Sequence, residues 1–297
     1  MNIIRRILIH IKWRLDQIGF FDSMNDRTYL KFNYYLRVGK VLNLDNPSTF
    51  NEKLQWLKIN DRNPNYTRMV DKVSAKEYVK ERIGEEYIIP NIGVYDDFNS
   101  IDFKELPKRF VIKCTHNSGG VVVVNDKTQI NIPELRNNFK RMLKKNFFYN
   151  GREWPYKNIT PRIIIEENIQ DGNSSIQIND YKIMCFNGKA RCAFVCSNRN
   201  SRSGLCVNFY DMEWNPMPFE RHYPRNPIEI RKPLNFDKMV ELSEKLAKDI
   251  PFVRVDFYEK QGKLYFGELT FYPGGGVEEF TPDSWDYVLG SWLNLKL

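Results

Sequence analysis

The runs Val253-Arg254-Val255-Asp256-Phe257 and Phe266-Gly267-Glu268-Leu269-Thr270, with Glu259-Lys260-Gln261-Gly262-Lys263 between them, constrain the fold more than any other part of the chain. Strand side chains alternate between faces, so Arg254 and Asp256 point the same way, and so do Glu268 and Thr270. The polar, glycine-containing segment between the runs reads as a hairpin turn. Folding it back places Asp256 near Glu268, with Arg254 and Thr270 as same-face neighbours.

Two carboxylates held together are costly unless a cation lies between them. Oxygen-only ligands of this kind suit Mg²⁺ carrying a nucleotide's phosphates. The alternative is a two-stranded ribbon whose acidic face is merely solvated.

A chain of 297 residues buries a large core, and its length suggests about two domains. Its 42% apolar and 28% charged content excludes large-scale disorder. The net charge of +8 favours anionic partners, and charge alone does not choose among nucleotides, nucleic acid, acidic glycans and lipid surfaces. Of the five cysteines, Cys114, Cys185, Cys192 and Cys196 sit in apolar runs and form no CxxC pair, which points to a reducing cytosol. Cys192 and Cys196 resemble half a zinc site without a second half.

No stretch approaches the roughly 18 apolar residues of a membrane span. The first 20 residues are nonetheless unusual. Ile3, Ile4, Ile7, Leu8, Ile11, Leu15 and Ile18 recur at helical spacing beside Arg5, Arg6, Lys12 and Arg14. This pattern suits a basic helix lying in a membrane interface, or an apolar stripe docked on the protein's own core. No small-residue cleavage site of a signal peptide accompanies it.

Residues 1–65 read as mostly helical, with Asn46 to Lys53 marking a turn and a helix start. A helix from Asp71 to Arg82 stops at Gly84, and strand-like Tyr87 to Pro90 and Ile92 to Tyr95 follow. Phe110 to Thr115, a turn at Asn117-Ser118-Gly119-Gly120, and Val121 to Val124 read as a hairpin of two buried strands. A basic helix from about Pro133 to Asn146 precedes a β-rich half that opens at Arg162 and contains one helix, Phe236 to Lys248. The expected division is 1–65, 66–165 and 166–297.

Lys113 ends a strand before a turn of small residues, so its ammonium and the backbone N–H groups of Ser118 to Gly120 could meet one anionic group. The alternative is an ordinary turn with a solvated lysine. Ile163 to Ile165 run into Glu166, Glu167 and Ile169, and an acid at a strand end suits an adenine amino group. Simple strand termination by charge is the competing reading. Asp180 and Lys182 share a face of the next strand. Arg199 and Arg202 stand in a basic loop, Ser197 to Gly204, that either clamps phosphates or an acidic sugar or is plain surface.

The order of these pieces resembles the ATP-grasp superfamily, and the last segment looks like the R-V-D-F and E-x-N-x-x-P-G pattern of D-alanine–D-alanine ligases. Phe50-Asn51-Glu52-Lys53-Leu54-Gln55-Trp56, Lys113 to Gly120 and Phe266 to Gly276 resemble the TupA-like ATP-grasp family, associated with teichuronopeptide and surface-polysaccharide synthesis. The resemblance implies an α+β fold of two subdomains gripping ATP, with a helical N-terminal region. It implies that Lys113 and Lys182 bind ATP phosphates under Ser118, Gly119 and Gly120, while Glu166, Glu167 and the backbone near Ile169 hold adenine. Asp256 and Glu268 would ligate Mg²⁺, and Arg254 would stabilise an acyl phosphate. Pro273, Gly274 and Gly275, with Arg199 and Arg202, would meet substrate. Thr270 departs from the asparagine common at that position, which leaves one metal's geometry open.

The activity implied is ATP-dependent ligation of a carboxylate to an amine, joining an amino acid or amine to a uronic acid of a capsular or cell-wall glycan. The expected setting is cytoplasmic, at the inner face of the membrane through residues 1–20, with no nucleic-acid partner. A glycosyltransferase is the main rival, but no D-x-D motif follows a strand. A protein kinase would need its glycine loop before the lysine and an H-R-D loop. A basic membrane adaptor leaves the acidic hairpin unexplained.

Overall fold

The computed structural model describes residues 3–170, 178–197 and 204–295. Five helices open the chain: α1 (Ile3–Gln17), α2 (Asp26–Val38), α3 (Phe50–Asn60), α4 (Asn65–Val70) and α5 (Ser74–Ile83). Helix α3 starts where the sequence signals it. Thr49 accepts from the Glu52 N–H and the Glu52 carboxylate accepts from the Thr49 N–H, a reciprocal cap. Asp71 Oδ1 accepts from the N–H groups of Val73 and Ser74 at the start of α5. The strand expected over residues 87–90 is absent, since a short 3-10 turn (Glu85–Tyr87) leads instead into Pro90, which has no N–H to give a ladder.

The first sheet is antiparallel, in the order β1 (Asn91–Tyr95), β4 (Ile163–Glu167), β2 (Phe110–Cys114) and β3 (Val122–Val124). Helix α6 (Ile132–Leu143) contributes Leu135 and Phe139 to the core beneath it, with Phe110, Ile112, Ile163 and Ile165. Strand β3 is the outer edge, so Val121 and Val123 are exposed, and β2 is fully buried at alternate residues, Phe110, Ile112 and Cys114. The boundary expected between residues 165 and 166 falls inside β4, whose Glu166 and Glu167 stand opposite Val111 and Phe110 of β2.

The second sheet is five-stranded and antiparallel. It contains β5 (Asp180–Phe186), β6 (Lys189–Ser197), β7 (Cys206–Tyr210), β9 (Phe252–Lys260) and β10 (Lys263–Thr270), in the order β10-β9-β5-β6-β7. Strands β8 (Glu220–Arg221) and β11 (Phe280–Thr281) form a separate pair, and α8 (Ser284–Trp292) closes the described chain. Helix α7 (Phe236–Leu246) sets Phe236, Met239, Leu242 and Leu246 in the core with Val253, Val255 and Phe257 of β9. Each such side chain contributes about 1.5–3 kcal/mol on burial. This apolar face fixes which side of β9 carries Arg254 and Asp256.

The acidic hairpin turns at Gln261 and Gly262, both left-handed with φ of 51° and 77°, as a two-residue primed turn requires. Pairing runs in register to Phe266 opposite Phe257. Continued unbroken, it would set Glu268 opposite Val255, facing the core. Instead a bulge intervenes, and pairing resumes with Leu269 opposite Val255 and Thr270 opposite Arg254. Gly267 and Glu268 therefore both oppose Asp256, and the bulge keeps Glu268 on the face of Asp256. A Cβ on Gly267 would lie 3.2 Å from the Cβ and the carbonyl oxygen of Asp256, so glycine suits this close approach.

Helix α1 forms where the periodicity predicts it but is turned outward. Ile3, Ile4 and Ile7 are 74%, 65% and 55% exposed, while Lys12 is buried. The Lys12 ammonium donates to Asp16 Oδ2 at 2.6 Å and to the Tyr29 hydroxyl at 2.8 Å. Arg5 Nε donates to the Leu36 carbonyl at 2.6 Å. Of the stripe, Leu15 packs against the core, while Ile3, Ile4, Ile7, Leu8, Ile11 and Ile18 stay exposed. No helix among the described residues is long and apolar enough to cross a membrane.

Candidate functional site

A narrow cleft, about 50 Å³ in volume, lies between the two sheets. One wall comes from the first sheet and α5. Lys113, near the end of β2, places its ammonium 2.5 Å from Glu166 Oε2, and Lys76 of α5 sits 2.5 Å from Glu166 Oε1. Each oxygen of Glu166 therefore already faces a lysine. Burial alone would raise the Glu166 pKa, but the two ammonium groups outweigh it and hold the carboxyl below its ordinary range.

Lys72, in the turn before α5, lines the same cleft and donates to the Asn117 carbonyl. Burial, reinforced by the Lys113 charge, lowers its pKa to about 8. Ser118, Gly119 and Gly120 are exposed just beyond Asn117. Gly119 has φ of 84° with nothing within 4 Å of a Cβ there, so this turn is open on the side of an approaching ligand.

The opposite wall is the acidic hairpin. Arg254 grips Asp256 through two parallel bonds, Nε to Oδ1 and Nη2 to Oδ2, both 2.7 Å. Its Nη2 also donates to Glu268 Oε1 at 2.6 Å, and Thr270 Oγ1 donates to the same oxygen at 3.0 Å. Lys182 lies opposite Asp256 on β5, bonds it directly, and reaches Asp180 Oδ2 at 2.7 Å. Here the cation between the two hairpin carboxylates is a guanidinium. Burial would raise the Glu268 pKa, but Arg254, Lys182 and Lys72 together pull it down to about 2.

The expected residues thus separate into groups. Lys113, Glu166 and Glu268 line the cleft with Lys72 and Lys76; Lys182, Arg254 and Asp256 stand behind Glu268 and do not. Glu167 and Ile169 lie beyond the end of the lining, and Glu167 is exposed. Arg199 and Arg202 fall outside the described residues. Pro273, Gly274 and Gly275 form a tight turn packed on α3, where Gln55 Nε2 donates to the carbonyls of Gly275 and Gly276 and Lys58 Nζ donates to that of Gly275.

Among the described residues no group of three or more acidic, histidine or cysteine side chains is placed to hold a metal ion, and of the expected ligands Glu268 has the open carboxylate oxygen. Glu268 is half-exposed into the cleft, and its Oε2 accepts no hydrogen bond among the described residues. Asp256 is buried with both oxygens held by cations, while Thr270 Oγ1 donates its proton to Glu268 and keeps its lone pairs.

Sequence reading missed Lys72, Lys76, Lys58 and Tyr156. Their signal is a polar residue on an apolar face: Lys76 lies beside Ala75 and Val79 on the buried side of α5, and Lys58 beside Leu54 and Leu57 on that of α3. Tyr156 lines the cleft from a 3-10 turn (Trp154–Tyr156) with no such pattern.

A family model described as TupA-like ATPgrasp matches residues 52–294. No curated protein matches the chain. Among solved structures the chain is similar to a D-alanine–D-alanine ligase from Bacillus anthracis complexed with ATP. That pair is 17% identical over 69% of this chain and 55% of the other, with a TM-score of 0.40. A D-alanine–D-alanine ligase from Helicobacter pylori is 15% identical over 83% and 70%, with a TM-score of 0.43. The ATP-grasp ligase PsnB complexed with a minimal precursor is 10% identical over 74% and 58%, with a TM-score of 0.39. The chain spans little more than half the length of the first and last of these. None of the three is close enough to carry site roles from one chain to another.

Proposed function

Because the chain belongs to the TupA-like ATP-grasp family, we propose that it is an ATP-dependent carboxylate–amine ligase that forms an amide through an acyl phosphate. The observation that carries this reading is the pair of opposed walls: lysines on one wall face an open carboxylate oxygen on the other across a single cleft. In this reading Lys113 and Lys72 meet the nucleotide phosphates and the Ser118 to Gly120 turn closes over them. Glu166 orients Lys113, while the apolar lining at Val70, Ile89, Phe266 and Leu269 suits the adenine ring. Glu268 would hold Mg²⁺, which when bound neutralises phosphate charge. Arg254 holds Glu268 in place from behind and would act on the charge of the acyl phosphate through it, and Thr270 orients the carboxylate. Lys182 and Asp256 form the buried pair behind them, so Lys113 is the lysine set to meet phosphate.

The acceptor we propose is a uronic acid of a surface glycan and the donor an amino acid or amine, in keeping with the net charge of +8. Calorimetry with ATP and Mg²⁺ on wild type and Glu268→Gln, followed by an ADP-release screen of uronic acids against amino acids, tests it. ADP release that needs both a carboxylate and an amine supports the reading. UDP release from a nucleotide sugar, without any such ADP release, overturns it.

The outward isoleucines of α1, with Trp13, Arg6 and Arg14 exposed around them, suit an anionic membrane surface at the cytoplasmic face. Sedimentation with phosphatidylglycerol vesicles checks this. Binding lost in Ile7→Glu is expected, and equal binding by both proteins would exclude the helix as the anchor.

A further inference from the structure

The segment between α6 and β4 reaches the cleft, and its conformation is strained. Arg152 is fully buried with φ of 55°, a backbone state costly for a non-glycine residue. The surrounding contacts hold it there. Its Nη2 donates to the Phe21 carbonyl, its Nε lies 3.3 Å from Asp26 Oδ1, and its guanidinium stacks 4.5 Å from the Tyr29 ring. Lys58 fastens the same stretch from the other side, donating to the carbonyls of Gly151 at 2.9 Å and Gly275 at 2.8 Å. Anchored on both sides, this backbone fixes the position of the next residue, Glu153.

Glu153 is half-buried, and its carboxylate makes no hydrogen bond or ion pair of ordinary length with any described residue. Its Oε1 lies 3.9 Å from where a Cβ on Gly275 would stand, in the turn that the family resemblance implies meets substrate. Three residues on, Tyr156 lines the cleft together with Glu268. The Lys58 charge acts on this carboxylate from nearby but donates no hydrogen bond to it. A carboxylate in low-dielectric surroundings without a hydrogen-bond donor is costly, and a ligand that brings its own donor lowers that cost.

We infer that Glu153 is the seat of the incoming amine and receives a primary ammonium between the Gly275 turn and Tyr156. This rests on the ligase reading above and names the nucleophile's subsite within it. The amine cannot attack as an ammonium. One proton passes to the Glu153 carboxylate, and the freed nitrogen lone pair forms the bond to the acyl carbon. The carbon–oxygen bond to phosphate breaks, and the second nitrogen proton leaves with the phosphate as hydrogen phosphate.

Hydroxylamine separates this role from a structural one, because it is uncharged at neutral pH and needs no seat for an ammonium. Wild type and Glu153→Gln are given ATP, Mg²⁺ and glucuronate, with either hydroxylamine or L-lysine. The expected result is hydroxamate formation within about threefold of wild type but amide formation with lysine reduced about 100-fold or more, the scale of a lost general base. Hydroxamate production also reports that the variant is folded. Equal loss of both products, or loss of neither, overturns the assignment while leaving the ligase reading standing. Absence of hydroxamate from wild type with glucuronate and with other uronates removes the ligase reading, and this assignment with it.

Discussion

The two walls of the cleft use the same device with opposite balance. On the first wall two lysines, Lys76 of α5 and Lys113 of β2, surround the single carboxylate of Glu166, and Lys72 adds a third ammonium nearby. On the second, Asp180, Asp256 and Glu268 surround the two cations Lys182 and Arg254. Each wall is a buried ion cluster, yet the first keeps excess positive charge and the second excess negative. A buried cluster that is not neutral is costly on its own. Two of opposite sign facing one cleft are complementary to a ligand that is itself polar in charge, phosphate at one side and metal at the other.

The largest way to break this contrast is Arg254→Met, which leaves Asp256 buried with one of its two cations gone. Removing one partner of a buried pair costs about 3–5 kcal/mol, and urea unfolding should read that loss. An unchanged midpoint would show that Arg254 does not hold the acidic wall together. Glu268→Gln keeps the shape and removes the open charge. Metal-dependent ADP release should fall about 10²–10³-fold, the scale of a lost electrostatic contact in a transition state, with metal-free nucleotide binding little changed. Lys113→Met attacks the other wall and removes a charge-assisted bond of about 1.5–3 kcal/mol. Calorimetry should show weaker ATP binding, while Mn²⁺ binding without nucleotide stays as in wild type. A parallel loss of both would mean that the walls do not divide the ligand between them.

The smallest expected effect is on acid stability. Glu268 is held near 2, below the ordinary glutamate value of 4.5, so its contribution is complete above 4.5. As pH falls from 4.5 toward 2, the unfolded chain takes the proton first and the contribution fades. Since the carboxylate is half-exposed, the loss is screened. Melting temperatures over that range should fall slightly more steeply for wild type than for Glu268→Gln.

The acidic wall was legible because alternation and a glycine turn are local signals, and Asp256 and Glu268 needed only those. The bulge that turns Glu268 to the correct face was written in Gly267, but register is settled by where the pairing resumes, at Leu269 opposite Val255. Lys113 and Glu166 were visible as charges ending apolar strands. That they bind each other, with Lys76 completing the set, depends on a helix that sequence places but does not dock. Glu153 and Lys58 are 95 positions apart in the chain, and only folding sets both against the Gly275 turn. For α1, periodicity identified the stripe, while its direction depended on Lys12 finding Tyr29.

That inward lysine has a consequence for how the protein behaves as a material. The folded body makes little use of Ile3, Ile4, Ile7 or Ile11, since their side chains stand largely in water. Replacing them with polar residues should change folding stability by no more than about 0.5 kcal/mol while improving solubility. The stripe is thus a handling burden that the fold itself does not require, and a purified sample should cling to detergent and to plastic through one short segment.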